Sequence, residues 1–237
     1  LSGDLGFSVA SGAPVRVLLG EAIPSTLLLA GLGFVVAAIL ASILAFASTL
    51  SRFGWLRNFL RSLPSLFVSV PVFWLGIVLI QVFSFRLGWI SVIRPGPLES
   101  LILPVLTLAV PISAPLAQVL VRAIDDVKAA PFVTVVRAKG ASEAWILVRN
   151  VLRNAALPTL TIAGVLLGEL IGGAVVTETV FARFGLGRLT ASALEGQDTP
   201  VLQGIVILAA FAFVVVNLIV DLIAPAIDPR LARRVAA

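Results

Sequence analysis

The chain is 237 residues long, 59% hydrophobic and only 12% charged, with a mean hydropathy of +1.13, which excludes a water-soluble globular domain and predicts a protein solvated by lipid. It contains no Cys, His, Met or Tyr, so disulfides, thiolate or imidazole metal sites and histidine-based triads are excluded, and neither a catalytic nor a metal centre is expected. The net charge of +5 fits orientation charges on membrane loops better than a nucleic-acid partner, which needs basic residues clustered with surface aromatics.

Residues 1–24 form a lead-in without the charged region, short apolar run and cleavage site of a signal peptide. The chain starts at Leu1 and holds no Met, which predicts that something precedes it. A bilayer core about 30 Å thick takes about 20 helical residues. Apolar runs of that length predict an all-α polytopic membrane protein whose transmembrane domain covers 25–224, with five spans at about 25–50, 66–85, 101–121, 157–176 and 201–224. Pro24 suits the first turn of the first span. Arg57 to Leu63 is either a short interfacial helix or a solvated turn. Pro71 predicts a kink in the second span, and Pro104, Pro111 and Pro115 predict a bent or locally opened third one.

Basic residues are retained on the cytoplasmic side. One set of loops carries twelve (Arg52, Arg57, Arg61, Arg122, Lys128, Arg137, Lys139, Arg149, Arg153, Arg230, Arg233, Arg234) and the other five (Arg16, Arg86, Arg94, Arg183, Arg188). The start of the chain is therefore expected outside and the tail, 225–237, in the cytoplasm.

The cytoplasmic loop 122–156 is too long for a plain connector. Pro131 suits a first helical position, Gly140 a turn, and Ser142 with Glu143 the start of a second helix. On that helix Ala141, Trp145, Val148 and Leu152 form one apolar stripe, with Arg149, Asn150, Arg153 and Asn154 off it. The stripe rests either on the chain's own bundle or in the groove of a partner.

The run TVVRAKGASEAWILVRNVLRNAALP, Thr134 to Pro158, resembles the EAA loop of ABC importer permeases of the dipeptide, oligopeptide and nickel branch. Its alanine-lysine-glycine turn is Ala138, Lys139 and Gly140, and its closing R-N-A-x-x-P is Arg153, Asn154, Ala155 and Pro158. Four more matches follow in order: Gly3 to Gly6 with Ser8; Pro24, Thr26 and Leu27; Thr177 to Phe181 with Gly185, Leu186 and Gly187; and Asn217, Asp221 and Asp228-Pro229-Arg230. The family has six spans, so the resemblance implies that the first precedes Leu1.

The resemblance further implies that the helix after Gly140 is a coupling helix seated on a cytoplasmic ABC ATPase subunit, with Lys139, Gly140, Ala141, Ser142, Glu143, Trp145, Val148, Arg149 and Leu152 as the ATPase-coupling residues. The outer segment 177–200 would be a gate beneath an external substrate-binding protein, with Glu178, Phe181, Phe184, Gly185 and Gly187 as residues of that gate or as contacts for the binding protein. A second homologous permease would complete the pathway in a bacterial plasma membrane. ATP and magnesium would be bound by the ATPase subunits, since no G-x-x-x-x-G-K-[ST] loop is present and no cofactor is expected on this chain. The expected cargo is a peptide, with a nickel chelate or another small solute as the alternative and a stand-alone secondary carrier as the rival class.

Glu169 lies mid-span between glycines, where an ionisable side chain costs about 2.5 kcal/mol or more unless it meets water or a partner. It either lines the translocation path or fixes helix packing. Ser113 and Gln118 either face that path or satisfy carbonyls freed by Pro111 and Pro115. Asp221 is read as a cytoplasmic anchor.

Overall fold

The protein, seen in a computed structural model, is described at residues 5–93 and 95–227. Arg94, the Gly3-Asp4 pair, the side chain of Asp221, the Asp228-Pro229-Arg230 motif and the terminal arginines lie outside the described residues.

Among the described residues the elements are helical: α1 Val15–Leu50, α2 Gly54–Ser69, α3 Val72–Leu79 continuing into a π-helical segment Ile80–Arg86, α4 Glu99–Lys128, and α5 Pro131–Ala138. Then come α6 Glu143–Ile146, a π-helical segment Leu147–Val151, α7 Leu152–Val180, α8 Leu186–Glu195 and α9 Thr199–Ile227. Four stretches are long and apolar enough to cross a bilayer, and a fifth is reached if α2 and the helix after it count as one broken span. This is the all-α polytopic architecture that the hydropathy predicts.

Several boundaries differ from the sequence expectation. α1 begins at Val15, ahead of the predicted span, and Pro24 lies inside it. Arg16 and Glu21 interrupt the apolar run there, yet Val15, Leu19 and Ala22 are buried and packing carries the helix. The second predicted span is two helices, because Val70 and Pro71 interrupt it and α2 ends at Ser69. Of the two readings of Arg57 to Leu63, helix or turn, the structure has a helix, the longer α2.

α4 runs unbroken through its three prolines. Pro104 cannot supply the amide that would reach the Ser100 carbonyl. That carbonyl instead accepts from Arg183 Nη1 at 2.9 Å, which explains how the helix keeps its course there.

The chain divides into two compact units, one made of residues up to Val36, Val70–Val110 and Leu167–Val215, the other of Ala37–Ser69, Pro111–Leu166 and the chain from Val216. The first unit has a core of Val15, Leu19, Ala22, Leu186, Ala193, Val201 and Ile205. The second is built on Ala45, Leu120, Ala123, Ile124, Val133, Ile146, Leu147, Val151 and Ala155, so the loop after α4 is part of a core.

Candidate coupling loop and outer carboxylate lock

In the second unit, Pro131 takes the first turn of α5, where its missing amide has no partner to lose. Gly140 follows with φ +86°, a left-handed conformation in which a side chain is strained. Ser142 then caps α6, its Oγ accepting from the Trp145 amide at 3.3 Å. Glu143 binds the loop together: Arg137 Nε donates to its Oε1 at 2.6 Å and Lys128 Nζ to its Oε2 at 2.9 Å. These two cations, Arg137 first, hold the Glu143 carboxyl down at about 2.

The predicted stripe divides in two. Trp145 and Val148 remain 46% and 67% exposed, which leaves them uncovered by their own chain, while Ala141 and Leu152 are half-buried. Ala141 leans on the core of its unit. The helix buries a different face, Ile146, Leu147, Val151 and Ala155. The 3.6-residue template missed this face because the π-helical segment Leu147–Val151 widens the turn. Arg149 places its guanidinium 5.9 Å from the Trp145 ring centroid, so the exposed surface joins an aromatic and a cation. Lys139, Gly140, Ser142, Glu143 and Arg149 are exposed beside it.

In the first unit, the predicted outer contacts fall into a lock and a surface. Glu178 is 0% exposed, which removes one of its two expected roles, the contact for an external protein. Its Oε1 accepts from the Thr26 hydroxyl at 2.7 Å and its Oε2 from the Gly187 amide at 2.7 Å, with the Arg188 amide at 3.4 Å. Thr26 Oγ1 in turn accepts from the Leu186 amide at 2.8 Å. The carboxylate and the hydroxyl thus satisfy the orphan amides opening α8, where the helix dipole favours negative charge.

Gly185 and Gly187 are buried for a steric reason. A Cβ on Gly185 would stand 2.3 Å from Glu178 Oε1, and one on Gly187 2.3 Å from the Val175 Cα. They too are therefore part of the lock and are not contacts for an external protein. Phe181 is half-buried, and Phe184, 53% exposed, is the predicted outer residue that presents a free surface.

Two further ties in this unit escaped the sequence reading. Arg183 Nη1 also donates to Ser100 Oγ at 3.3 Å, and its Nη2 to Ser25 Oγ at 3.4 Å. Asp198, 2% exposed, accepts from the Ser8 hydroxyl, from the Val9 and Ala10 amides at 3.2 and 3.3 Å, and from the Val201 amide at 3.5 Å. An acid just before Thr199-Pro200 is an N-cap signal and marked this position.

Of the mid-membrane candidates, Ser113 is fully buried, so it does not line a path. Gln118 borders a cleft with Arg61 and Arg122. Glu169 is exposed on α7 and, among the described residues, forms no hydrogen bond or ion pair.

Residues 33–233 match the family described as binding-protein-dependent transport system inner membrane component. The glutathione transport system permease protein GsiC of Escherichia coli strain K12 is 35% identical over 229 residues, 97% of this chain and 75% of that protein. Its counterpart in Salmonella paratyphi A is 34% identical over the same shares. Among solved structures, an inward-facing MetNI methionine ABC transporter superposes with a TM-score of 0.76 at 18% identity, covering 90% of this chain and 97% of that one. An amino acid ABC transporter superposes at 0.68 with 16% identity, over 89% and 94%. These two likenesses show the fold, and the family match with the relatives at 35% shows the lineage: the chain belongs to the membrane-spanning permease subunits of binding-protein-dependent ABC importers.

Proposed function

We propose that this permease forms half of the translocation pathway of an ATP-driven importer of small peptides in a bacterial inner membrane, with its tail in the cytoplasm. The observation that carries the substrate class is the identity to glutathione permeases along 97% of the chain, glutathione being a tripeptide by chemistry. A second homologous permease completes the path, and an external binding protein delivers cargo to the side that bears Phe184. ATP and magnesium sit on cytoplasmic ATPase subunits, where hydrolysis takes place.

The exposed Trp145, Val148 and Arg149 face, with Lys139 and Gly140 at its turn, docks on an ATPase subunit. An apolar anchor with a cation beside it is suited to a protein groove. Glu169 faces water in the path, which removes the cost of a lipid-exposed carboxylate and supplies a partner for a peptide's amino group. Uptake of labelled glutathione and of unrelated tripeptides into vesicles holding the assembled transporter tests the substrate class. ATP-dependent uptake of peptides supports it, and uptake of a nickel chelate with no peptide uptake overturns it.

A further inference from the structure

The second unit carries a basic cleft that the coupling role does not use. Its cavity volume is about 240 Å³, and it is bordered by Arg122, Gln118, Arg61 and Ser65, with Leu44 and Leu60 as apolar walls. Arg61 is paired to Asp125 at 2.9 Å. Arg122 is exposed, and among the described residues neither it nor Gln118 forms a hydrogen bond or ion pair. Among the described residues no carboxylate lines the cleft itself, and Asp125 meets it only through Arg61. The site thus offers one free guanidinium, a second partly neutralised one, an amide and a hydroxyl, all donors suited to an oxyanion.

The same α2 that supplies Arg61 and Ser65 is divided lengthwise. Leu56, Leu60, Leu63, Pro64 and Phe67 turn inward, whereas Trp55, Phe59 and Leu66, at offsets of four and eleven, are 70%, 52% and 57% exposed. Arg57 and Arg61 lie on the remaining polar flank, and α2 contains no acid. A helix with an exposed aromatic face, a basic flank and no acid of its own has the make-up of one lying in a membrane interface. Leu60, Arg61, Pro64 and Ser65, which line the cleft, lie on the other side of α2 from Trp55, Phe59 and Leu66, and the cleft's own apolar walls, Leu44, Leu60 and Val121, offer an acyl chain contacts that a free inorganic anion does not need.

We infer that the cleft between α2, α1 and α4 binds the headgroup of an anionic phospholipid: Arg122, Gln118 and Ser65 hold the phosphate, Arg61 stands beside it, and the acyl chains lie along Leu44, Leu60 and Val121 while the aromatic face of α2 rests in the membrane interface. Phosphate with lipid chains is chosen over free phosphate on charge complementarity, on the apolar walls of the site and on the interfacial make-up of α2.

The test uses the assembled transporter in mild detergent, washed free of lipid and titrated with phosphatidylglycerol or phosphatidylcholine, with bound lipid read by native mass spectrometry. Phosphatidylglycerol binds the wild type in preference to phosphatidylcholine. Arg122→Gln lowers that binding about fivefold, the worth of one basic residue near an anionic surface, while Arg122→Lys and the charge control Arg16→Gln keep it. If Arg122→Gln lowers the complex's thermal midpoint, the Arg122→Lys and Ser65→Ala variants carry the comparison, with Ser65→Ala expected to weaken binding. Equal binding of the two lipids, unchanged binding in Arg122→Gln, or displacement of the lipid by millimolar inorganic phosphate overturns the inference, the last outcome assigning the cleft to a free anion.

Discussion

Thr26 and Glu178 lie 152 positions apart and share a buried hydrogen bond of 2.7 Å, through which the start of α8 is tied both to α1 and to the end of α7. The Pro-Ser-Thr start of the first span, the Thr-Glu motif and the Gly-Leu-Gly motif are three separate sequence signals. In the folded chain they are one device.

Removing the carboxylate tests that device. Glu178→Ala leaves the Gly187 amide without an acceptor and the Thr26 hydroxyl with only the Ala22 carbonyl, at 3.5 Å, to donate to. Leaving a buried donor unsatisfied costs about 1–3 kcal/mol, so with two donors affected a loss of about 3 kcal/mol is expected. Glu178→Gln, which keeps one acceptor oxygen, loses less. Thermal midpoints of the detergent-solubilised transporter order the three proteins, and equal midpoints for Ala and wild type contradict the lock.

The glycines of the lock make a steric prediction. Gly187→Ala puts a Cβ against the backbone of Val175, which cannot rotate away, so overpacking of at least about 2 kcal/mol follows. Gly172→Ala, whose Cβ meets nothing within 4 Å, leaves assembly unchanged. Yields of folded protein by size-exclusion chromatography compare the pair directly.

Glu169 is expected to act on transport alone. Glu169→Gln should lower peptide uptake several-fold while the complex assembles at wild-type yield, because no side chain described in this chain depends on the carboxylate. Normal uptake in reconstituted vesicles contradicts a place in the path.

The Glu143 cluster has a defined pH behaviour. Its carboxyl lies at about 2 in the folded chain against an ordinary 4.5, so the stabilisation it brings is fully present above about 4.5 and is lost as pH falls through about 2. Glu143 is about half exposed, so solvent screening keeps its contribution below about 1 kcal/mol. Between pH 5 and 8 the Glu143→Gln variant should therefore differ from wild type by a small, constant shift in melting. A difference that grows across that range contradicts the pairing with Arg137 and Lys128.

The fold class was legible because long apolar runs leave few alternatives, and the coupling loop because Pro131, Gly140 and Ser142 each carry a local signal that the structure keeps. What stayed hidden depends on distant residues. Packing by Val15 and Leu19 extends α1 past Arg16 and Glu21, and Arg183 rescues the carbonyl that Pro104 abandons. The π-helical turn rotates Ile146 and Val151 onto a face that a regular period does not assign. Glu178 looked like a surface acid because its partners are a hydroxyl and backbone amides, which leave no charge pattern to read.

The exposed Trp145 and Val148 face is the point at which the permease reading meets a partner, and one pull-down tests it. Tagged chain is extracted in mild detergent from cells expressing the whole transporter, alongside a Trp145→Ala, Val148→Asp double variant. An ATPase subunit should accompany the wild type and be lost from the variant, while the second permease stays with both. A wild-type preparation without any ATPase subunit, or a variant that retains it in full, would contradict the coupling role of this face.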